Sequence, residues 1–263
     1  MKNPSLLMVA TILLSACQTE VGNELLFDTA NADKEVLLSN DEDAPKCAVH
    51  LQLQYASEKN GEKAEIVNNA IEEELLEMRD ISMKHAVDSF VQHYTDSYIR
   101  NFLPLYNQDR ADTTKRFWYE YHYVITSQTY SGYKGTSVYV ANIDYYEGGA
   151  HGVNQQQTFL FDNKSGRRIN ISDVFVPGYE NRLNAILLKS LREKTGVKNG
   201  QELHAKGYLT AVEMYPSKNF ILNDETITFI YNPSEIASYD KGSVELTISL
   251  SAIQDILSSD YRL

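Results

Sequence analysis

Residues 145–152, Tyr-Tyr-Glu-Gly-Gly-Ala-His-Gly, form the stretch around which the rest of the chain is organised. Alternating strand patterns precede and follow it, so it predicts a bend between two neighbouring strands. Three of its last five positions are glycine, namely Gly148, Gly149 and Gly152. Glycine adopts backbone conformations that a Cβ obstructs, and it permits close backbone approach. The sequence therefore predicts a structural bend at these glycines, flanked by Glu147 and His151.

Strands with alternating apolar residues are expected on both sides of the bend. The predicted strands are residues 117–125, 137–146 and 155–161. In the first of these, Trp118 lies on the face opposite Phe117, because successive side chains of a strand point to opposite faces. Short connections between successive strands favour an antiparallel meander.

Helical patterns precede and interrupt these strands. Apolar residues at helical spacing run from Val67 to Tyr98, so this region is one helix or two joined near Asp80, and Pro104 is expected to end it. Its length favours the break, because it is long for one globular helix. A second helix ends at the C-cap Gly196. The other predicted elements are a strand over residues 49–55, an irregular stretch over 197–217, a hairpin over 220–231 and a last strand over 244–250. This order predicts an α+β fold, an antiparallel sheet meander packed against a long N-terminal helical segment and a second helix.

The N-terminus has the pattern of a bacterial lipoprotein. Lys2 precedes a short apolar run from Leu6 to Leu14, which is too short to span a bilayer, and Leu-Ser-Ala-Cys ends at Cys17. We expect a signal peptide over residues 1–16, a lipid on Cys17, an acidic tether over 17–45 and a single domain over 46–263. A plain signal peptide or an uncleaved anchor is the alternative.

Composition narrows the possible partners. The chain has 36 Asp and Glu against 24 Lys and Arg, which makes nucleic acid an unlikely partner. Removing residues 1–16 takes away only Lys2, so the formal net charge falls from −12 to −13. With Cys17 lipidated, Cys47 is the remaining thiol, so an internal disulfide is not expected.

Two kinds of chemistry are conceivable at the bend. Asp144, Glu147 and His151, with His122 on a neighbouring strand, offer ligands to a metal, and Glu147 with His151 offers an acid/base pair. However, the sequence has no His-Glu-x-x-His, Cys-x-x-Cys or Gly-x-Ser-x-Gly motif. A histidine next to glycines at a turn more often bonds the local backbone. We therefore expect no metal, no cofactor and no enzymatic activity.

Two stretches resemble one family. Residues 143–152, followed by 158–162 and 171–175, are similar to the middle of the RsiV/PdaC-type extracytoplasmic domain. Residues 227–237, with Gly-Ser-Val-Glu-Leu at 242–246, resemble the end of that domain. The resemblance covers about residues 46–258 in order. It implies an extracytoplasmic domain that is a lipoprotein in many members.

What the resemblance implies about a partner comes from two members. One is an anti-sigma factor whose outer domain binds lysozyme, and the other is a deacetylase in which the domain precedes the catalytic one. We expect neither the sigma-binding role nor the deacetylation here. The chain also departs from the family pattern, since Gly152 follows Ala-His where a proline is common, and Ser234 replaces an aromatic residue after Asn-Pro.

The expected function is that of a lipid-anchored binding module in the bacterial envelope, on the periplasmic or outer surface. Its ligand is expected to be a cell-wall component or a basic wall-active protein such as lysozyme. The alternatives are an envelope hydrolase using Glu147 and His151, and a structural subunit of an envelope complex. The candidate ligand-binding residues are Trp118, Tyr145, Tyr146, Glu147 and His151. A closed pocket joining Glu147 and His151 favours the hydrolase, and an open aromatic groove favours binding.

Overall fold

The computed structural model describes residues 24–41 and 43–262, so the signal peptide predicted over residues 1–16 and the predicted lipidation site Cys17 lie outside the described residues. The α+β fold is confirmed. The strands are β1 (Phe27–Leu37), β2 (Lys46–Ala56), β3 (Tyr121–Ser131), β4 (Thr136–Glu147), β5 (Val153–Asp162), β6 (Arg168–Ile169), β7 (Phe220–Leu222), β8 (Thr226–Tyr231) and β9 (Val244–Ser249). The α-helices are α1 (Glu62–Leu76), α2 (Met83–Asp109), α3 (Ile171–Val174), α4 (Glu180–Thr195) and α5 (Gly200–Ala205).

Strands β1 to β6 form one sheet in sequence order, and β7 to β9 form a second. Neighbours pair antiparallel, as expected of a meander, with the exception of β2 and β3. That pair is parallel because α1 and α2 carry the chain back between the two strands. The long helical segment therefore lies on the sheet as a crossover.

The break in the helical segment is confirmed near Asp80. Glu77 and Asp80 both adopt left-handed backbone conformations, with φ of 56° and 59°, which ends α1. Ser82 then caps α2, and its side chain accepts a hydrogen bond from the His85 amide at 3.4 Å. The predicted end at Pro104 is wrong, because α2 continues to Asp109 with Pro104 inside it. Tertiary packing outweighs the hydrogen bond lost at proline, since Tyr106 beyond it is buried.

One hydrophobic core lies between α1, α2 and the six-stranded sheet, and we call it the helix-side core. Alternate residues of β2, such as Leu51 and Leu53, are fully buried there, as are Ile125 of β3 and Tyr139 of β4. The period-two burial is what a strand with one covered face requires. It places the opposite residues of β4 on the other side of the sheet.

A second core lies on that other side, and we call it the small-sheet core. Val138 and Val140 of β4 pack there with Leu160 of β5, against the three-stranded sheet and against Leu187 of α4. The predicted C-cap of α4 is confirmed, with Gly196 left-handed at φ 67°. Strands β4 and β5 thus contribute to both cores.

Two asparagines join the sheets along the free edge of β5. The Gln156 amide donates to Asn232 Oδ1 at 2.8 Å, and the Gln156 carbonyl accepts from Asn219 Nδ2 at 2.7 Å. Thr158 Oγ1 also donates to Asn219 Oδ1 at 2.6 Å. These side chains satisfy backbone groups that an unpaired edge would leave open.

The predicted tether over residues 17–45 is wrong over Phe27–Leu37, which is strand β1 and pairs along its whole length with β2. Ala30 and Ala32 of this strand are buried, but alanine gives only a weak apolar alternation in the sequence. The strand therefore depends on its pairing with β2. The irregular stretch predicted over 197–217 also contains helix α5, which Asn199 caps by accepting from the Glu202 amide at 3.0 Å.

Within residues 24–41 and 43–262, no helix combines the length and the apolar character that crossing a bilayer requires.

Candidate functional site

The glycine-rich bend connects β4 to β5, and a side chain at each of its glycines would be opposed by backbone strain, by a steric clash or by both. Gly148 and Gly149 have φ of 79° and 98°, where side chains with a Cβ are strained. A Cβ on Gly148 would also lie 2.8 Å from the Trp118 carbonyl oxygen, whereas one on Gly149 would meet open space. At Gly152 a Cβ would lie 2.9 Å from the Tyr145 carbonyl oxygen. The bend is therefore fixed by backbone conformation and by close packing together.

Alternation along β4 separates the candidate residues onto two faces. Tyr145 and Glu147 point toward α2, and the Tyr145 ring stacks on Tyr123 with centroids 5.2 Å apart. Tyr146 points the other way, stacks on His122 at 6.3 Å and donates its hydroxyl to the Gly149 carbonyl at 3.0 Å. The structure thus places Tyr145 and Tyr146 in different environments.

Glu147 borders an open groove between α2 and the start of β3, which we call the α2 groove. Its volume is about 210 Å³. The Tyr121 ring lies 5.3 Å from Tyr98 and 4.8 Å from Phe102 by centroids. Glu147 Oε1 accepts a hydrogen bond from the Tyr94 hydroxyl at 2.6 Å. The residues that line the groove are Tyr94, Ser97, Tyr98, Asn101, Phe102, Tyr121 and Glu147.

The tyrosines of this groove stay neutral at physiological pH. Burial, and second the nearby Glu147 carboxylate, raise the pKa of Tyr121 to about 12. Burial, and next its hydrogen bond to Glu147, raise the pKa of Tyr94 as well. Each phenol therefore remains a hydrogen-bond donor, and Glu147 supplies the negative charge of the groove.

Trp118 lies in a 3₁₀ turn (Thr113–Tyr119) rather than on a strand, so that prediction is wrong. Asp112 caps the turn by accepting from the Thr114 amide at 3.1 Å, and the buried Tyr119 anchors it. Phe117 and Trp118 are left 53% and 47% exposed, edge to face at 5.7 Å. Because the Trp118 carbonyl faces Gly148, this pair lies directly beside the bend. We call Phe117, Trp118 and the α2 groove together the bend surface.

His151 is held away from Glu147. Its ring stacks on Tyr239 with centroids 3.9 Å apart, and its Nδ1 lies 3.3 Å from the Gly152 carbonyl oxygen. The Tyr239 hydroxyl donates to the same oxygen at 2.8 Å. In the part of the chain that the structure describes, no hydrogen bond joins His151 to Glu147, and the α2 groove does not include His151.

The proposed metal ligands also separate onto different faces. His122 Nε2 lies 2.7 Å from Asp144 Oδ1 on the Tyr146 side of the sheet, while Glu147 points toward α2. Within residues 24–41 and 43–262, no three His, Cys, Asp or Glu side chains are grouped to hold a metal ion. The bend therefore presents aromatic rings and one carboxylate rather than a ligand set.

Sequence reasoning did not find several residues of this site. Tyr94 and Tyr98 belong to the predicted apolar helix face, and Phe102 continues it at a spacing of four, but this spacing indicates core packing and does not predict a groove. Tyr239 follows the bend by almost ninety residues, and no local pattern links it to His151. Phe117 is predicted on the strand face opposite Trp118, whereas it lies exposed in the same 3₁₀ turn as Trp118.

The comparison with protein families extends over the second half of the chain. Residues 172–251 match the family described as a protein of unknown function, DUF3298. Over these residues the chain is similar to the DUF3298 family. The matched stretch runs from α3 through β9, so the bend itself lies before it. This match confirms the resemblance to the RsiV/PdaC-type domain.

Similarity to known proteins extends beyond the matched stretch. The chain is 25% identical over 178 residues to the peptidoglycan-N-acetylmuramic acid deacetylase PdaC of Bacillus subtilis, which covers 66% of this chain and 37% of that protein. The chain thus spans little more than a third of that relative.

Two solved structures share the fold. A crystal structure of a DUF3298 family member from Bacteroides fragilis superposes with a TM-score of 0.81 at 26% identity, over 89% of this chain and 94% of that one. A DUF3298 family protein from Pseudomonas aeruginosa superposes with a TM-score of 0.63 at 16% identity, over 92% and 99%. The second likeness concerns the fold alone.

Proposed function

We propose that this protein is a binding module of the bacterial cell envelope that captures a basic wall-active protein, such as a lysozyme, on its bend surface. The single observation that carries the proposal is the exposed Phe117–Trp118 pair beside the open α2 groove. Exposed adjacent aromatic rings are uncommon on surfaces that contact only water, and tryptophan and tyrosine dominate the energy of protein interfaces.

Charge supports a basic partner. Glu147 adds a carboxylate to the groove, and the two cations of the Trp118 turn are already neutralised. Lys115 pairs with Asp109 at 2.6 Å, and Arg116 lies 4.0 Å from Glu120. Together with a formal charge of −13 after signal removal, this arrangement favours rapid encounter with cationic proteins.

Binding rather than catalysis is supported by the separate partners of Glu147 and His151. A hydrolase that used them as acid and base would need both within reach of one substrate. Instead Glu147 accepts from Tyr94, and His151 stacks on Tyr239. The groove at Glu147 is open and aromatic, which is the arrangement expected of a binding surface.

Placement in the envelope rests on the N-terminal pattern and on the relatives. Leu-Ser-Ala-Cys at residues 14–17 supports lipid attachment at Cys17 and exposure at the periplasmic or outer surface. The similarity to PdaC, whose name describes action on peptidoglycan, supports proximity to the wall. It also favours a second ligand class, a peptidoglycan fragment bound on the same surface.

The test is surface-plasmon measurement with the full chain in mild detergent, using hen lysozyme at two ionic strengths. We expect Trp118→Ala to weaken binding about thirtyfold, the effect of losing an interface residue worth about 2 kcal/mol. Tyr130→Ala is the matched control, because Tyr130 is 40% exposed on the same sheet. Added salt should lower the association rate more than it raises the dissociation rate.

Absence of lysozyme binding at micromolar concentration and low salt excludes this class of partner. Equal loss in the Trp118→Ala and Tyr130→Ala variants excludes the bend surface. Purified peptidoglycan fragments, tested on the same chip, then decide whether the second ligand class takes its place.

A further inference from the structure

A cavity of about 390 Å³ lies at the outer edge of β5, bordered by β6, α1, α3 and the start of β7. It exists because β6 has two residues and α3 begins at Ile171, so no described strand pairs with this edge of β5 at Thr158. The volume is within the range of sites for small molecules. No residue of the bend surface lines the cavity, which is therefore a separate place in the fold.

The buried part of the cavity wall is apolar. Leu160, Ile169 and Phe220 belong to the small-sheet core and are at most 4% exposed. The Thr158 hydroxyl is buried beside them, but Asn219 Oδ1 at 2.6 Å and the Phe220 carbonyl at 2.9 Å already accept from it. This part of the wall therefore favours apolar groups.

The rim of the cavity is polar and open to water. It carries the exposed side chains of Asn170, Ser172 and Lys218. The side chains of Arg168 and Glu74, 29% and 46% exposed, complete it. Two cations thus face one carboxylate, in a chain whose formal net charge is −12. The rim has an excess of positive charge on an acidic protein.

Arg168 is held in place and keeps unused donors. Its Nη1 lies 2.6 Å from Glu74 Oε2, and the centre of its guanidinium group lies 4.5 Å from the centroid of the Phe159 ring. A guanidinium group has five N–H donors, and the printed pair with Glu74 occupies one of its nitrogens. The remaining donors suit the planar oxygens of an anion, and little side-chain entropy is lost because Arg168 is already oriented.

Two further donors at the rim are unpaired. No residue that the structure describes bonds the Lys218 ammonium group or the Ser172 hydroxyl. The Glu74 carboxylate, in contrast, is already paired with Arg168. The rim therefore offers donors and positive charge to a ligand. A neutral molecule would leave the Lys218 charge unpaired, and an inorganic ion would leave the apolar wall uncovered.

We propose that this cavity binds a small organic oxyanion, with its carboxylate or phosphate group on Arg168 and Lys218 and its apolar body against Leu160 and Phe220. The Ser172 hydroxyl supplies a neutral donor to the same group. Glu74 orients Arg168, but its negative charge opposes the ligand.

The experiment is titration calorimetry of the full chain in mild detergent at low salt, with phenylacetate, phenyl phosphate and phenylacetamide as probes. We expect at least one anion to bind about tenfold or more tightly than the neutral amide, and the tighter anion identifies the acidic group. Lys218→Gln should remove that difference and leave phenylacetamide unchanged. Glu74→Gln should strengthen anion binding, because it removes a like charge while Phe159 still holds Arg168.

Lys164→Gln is the matched control, because it removes an exposed cation that does not line the cavity. Melting curves establish that each variant is folded. Equal affinity for the anions and the amide, or no anion binding at millimolar concentration, overturns the proposal. So does weaker anion binding in Glu74→Gln, or an equal loss in Lys164→Gln and Lys218→Gln. None of these outcomes involves the bend surface, so lysozyme binding stands or falls separately.

Discussion

The two cores of this protein end in different ways. The small-sheet core is mostly aliphatic, and among the described residues three of the eight partly buried side chains packed against it are aromatic, namely Tyr179, Tyr208 and Tyr261. The helix-side core continues past its buried residues into partly buried rings, among them Tyr94, Phe102 and Tyr121, which form the α2 groove. Tyrosine tolerates this half-buried position because its hydroxyl reaches water or a partner while its ring packs. The small-sheet core therefore stabilises the fold, whereas the α2 groove at the border of the helix-side core is also suited to binding.

The largest effect is expected in the aliphatic core. Leu187→Ala should lower the free energy of unfolding by about 2–5 kcal/mol, because the leucine is fully buried and its removal leaves a cavity. Urea denaturation measures this change. If the small-sheet core stabilises the fold without contributing to binding, the folded fraction should bind lysozyme with unchanged affinity. A parallel loss of affinity would contradict this separation of roles.

At the bend, neighbouring glycines should respond unequally. Gly148→Val should lower the free energy of unfolding by about 1–3 kcal/mol, since it adds a steric clash with the Trp118 carbonyl to the strain of a positive φ. Gly149→Val meets open space and should cost less. Thermal melts compare the two variants. Unchanged melting temperatures in both would show that the bend is not a conformational constraint.

The helix-side core also contains a buried carboxylate with a distinct pH dependence. Glu72 is fully buried, and only the backbone amide of Ile81 favours the charged form of its carboxyl group. Burial, and next the Asp80 carboxylate, raise the pKa of Glu72 to about 7. Between its ordinary pKa and this value the folded state holds the proton more tightly, so its stability falls as pH rises.

Glu72→Gln should therefore stabilise the protein at pH 8 by on the order of 1–3 kcal/mol while changing little at pH 4. Melting temperatures of both proteins at the two pH values measure this. A constant difference between them would show that Glu72 does not titrate in this range.

The smallest effect is expected at the hydrogen bond inside the α2 groove. Tyr94→Phe removes the hydroxyl that donates to Glu147, and it should cost about 0.5–1.5 kcal/mol because Glu147 is exposed and water replaces the donor. Chemical denaturation is again the measurement. A larger loss would place this bond among the determinants of the fold rather than of the surface.

Local signals explain what the sequence predicts well. The bend, the helix break near Asp80 and the C-cap at Gly196 each depend on residues that are neighbours in the chain. Strand β1 was missed because Ala30 and Ala32 give a weak apolar pattern and their burial depends on β2. These differences reflect the distance along the chain over which each element is stabilised.

Local sequence patterns also do not predict which side chains surround the bend. Three consecutive aromatic residues, Phe117 to Tyr119, are compatible with a strand as well as with the 3₁₀ turn that the structure has, in which Tyr119 alone is buried. The α2 groove joins a helix to a strand from a different part of the chain, so alternation along one element does not reveal it. The sequence located the bend, but tertiary packing determines which side chains surround it.

The most direct test of the bend surface is hydrogen exchange of the full chain with and without hen lysozyme, followed by mass spectrometry. We predict added protection of backbone amides over residues 94–102, 113–122 and 145–152, with exchange unchanged over α4 and α5. Protection confined to α4 and α5, or no protection in any segment, would contradict this prediction.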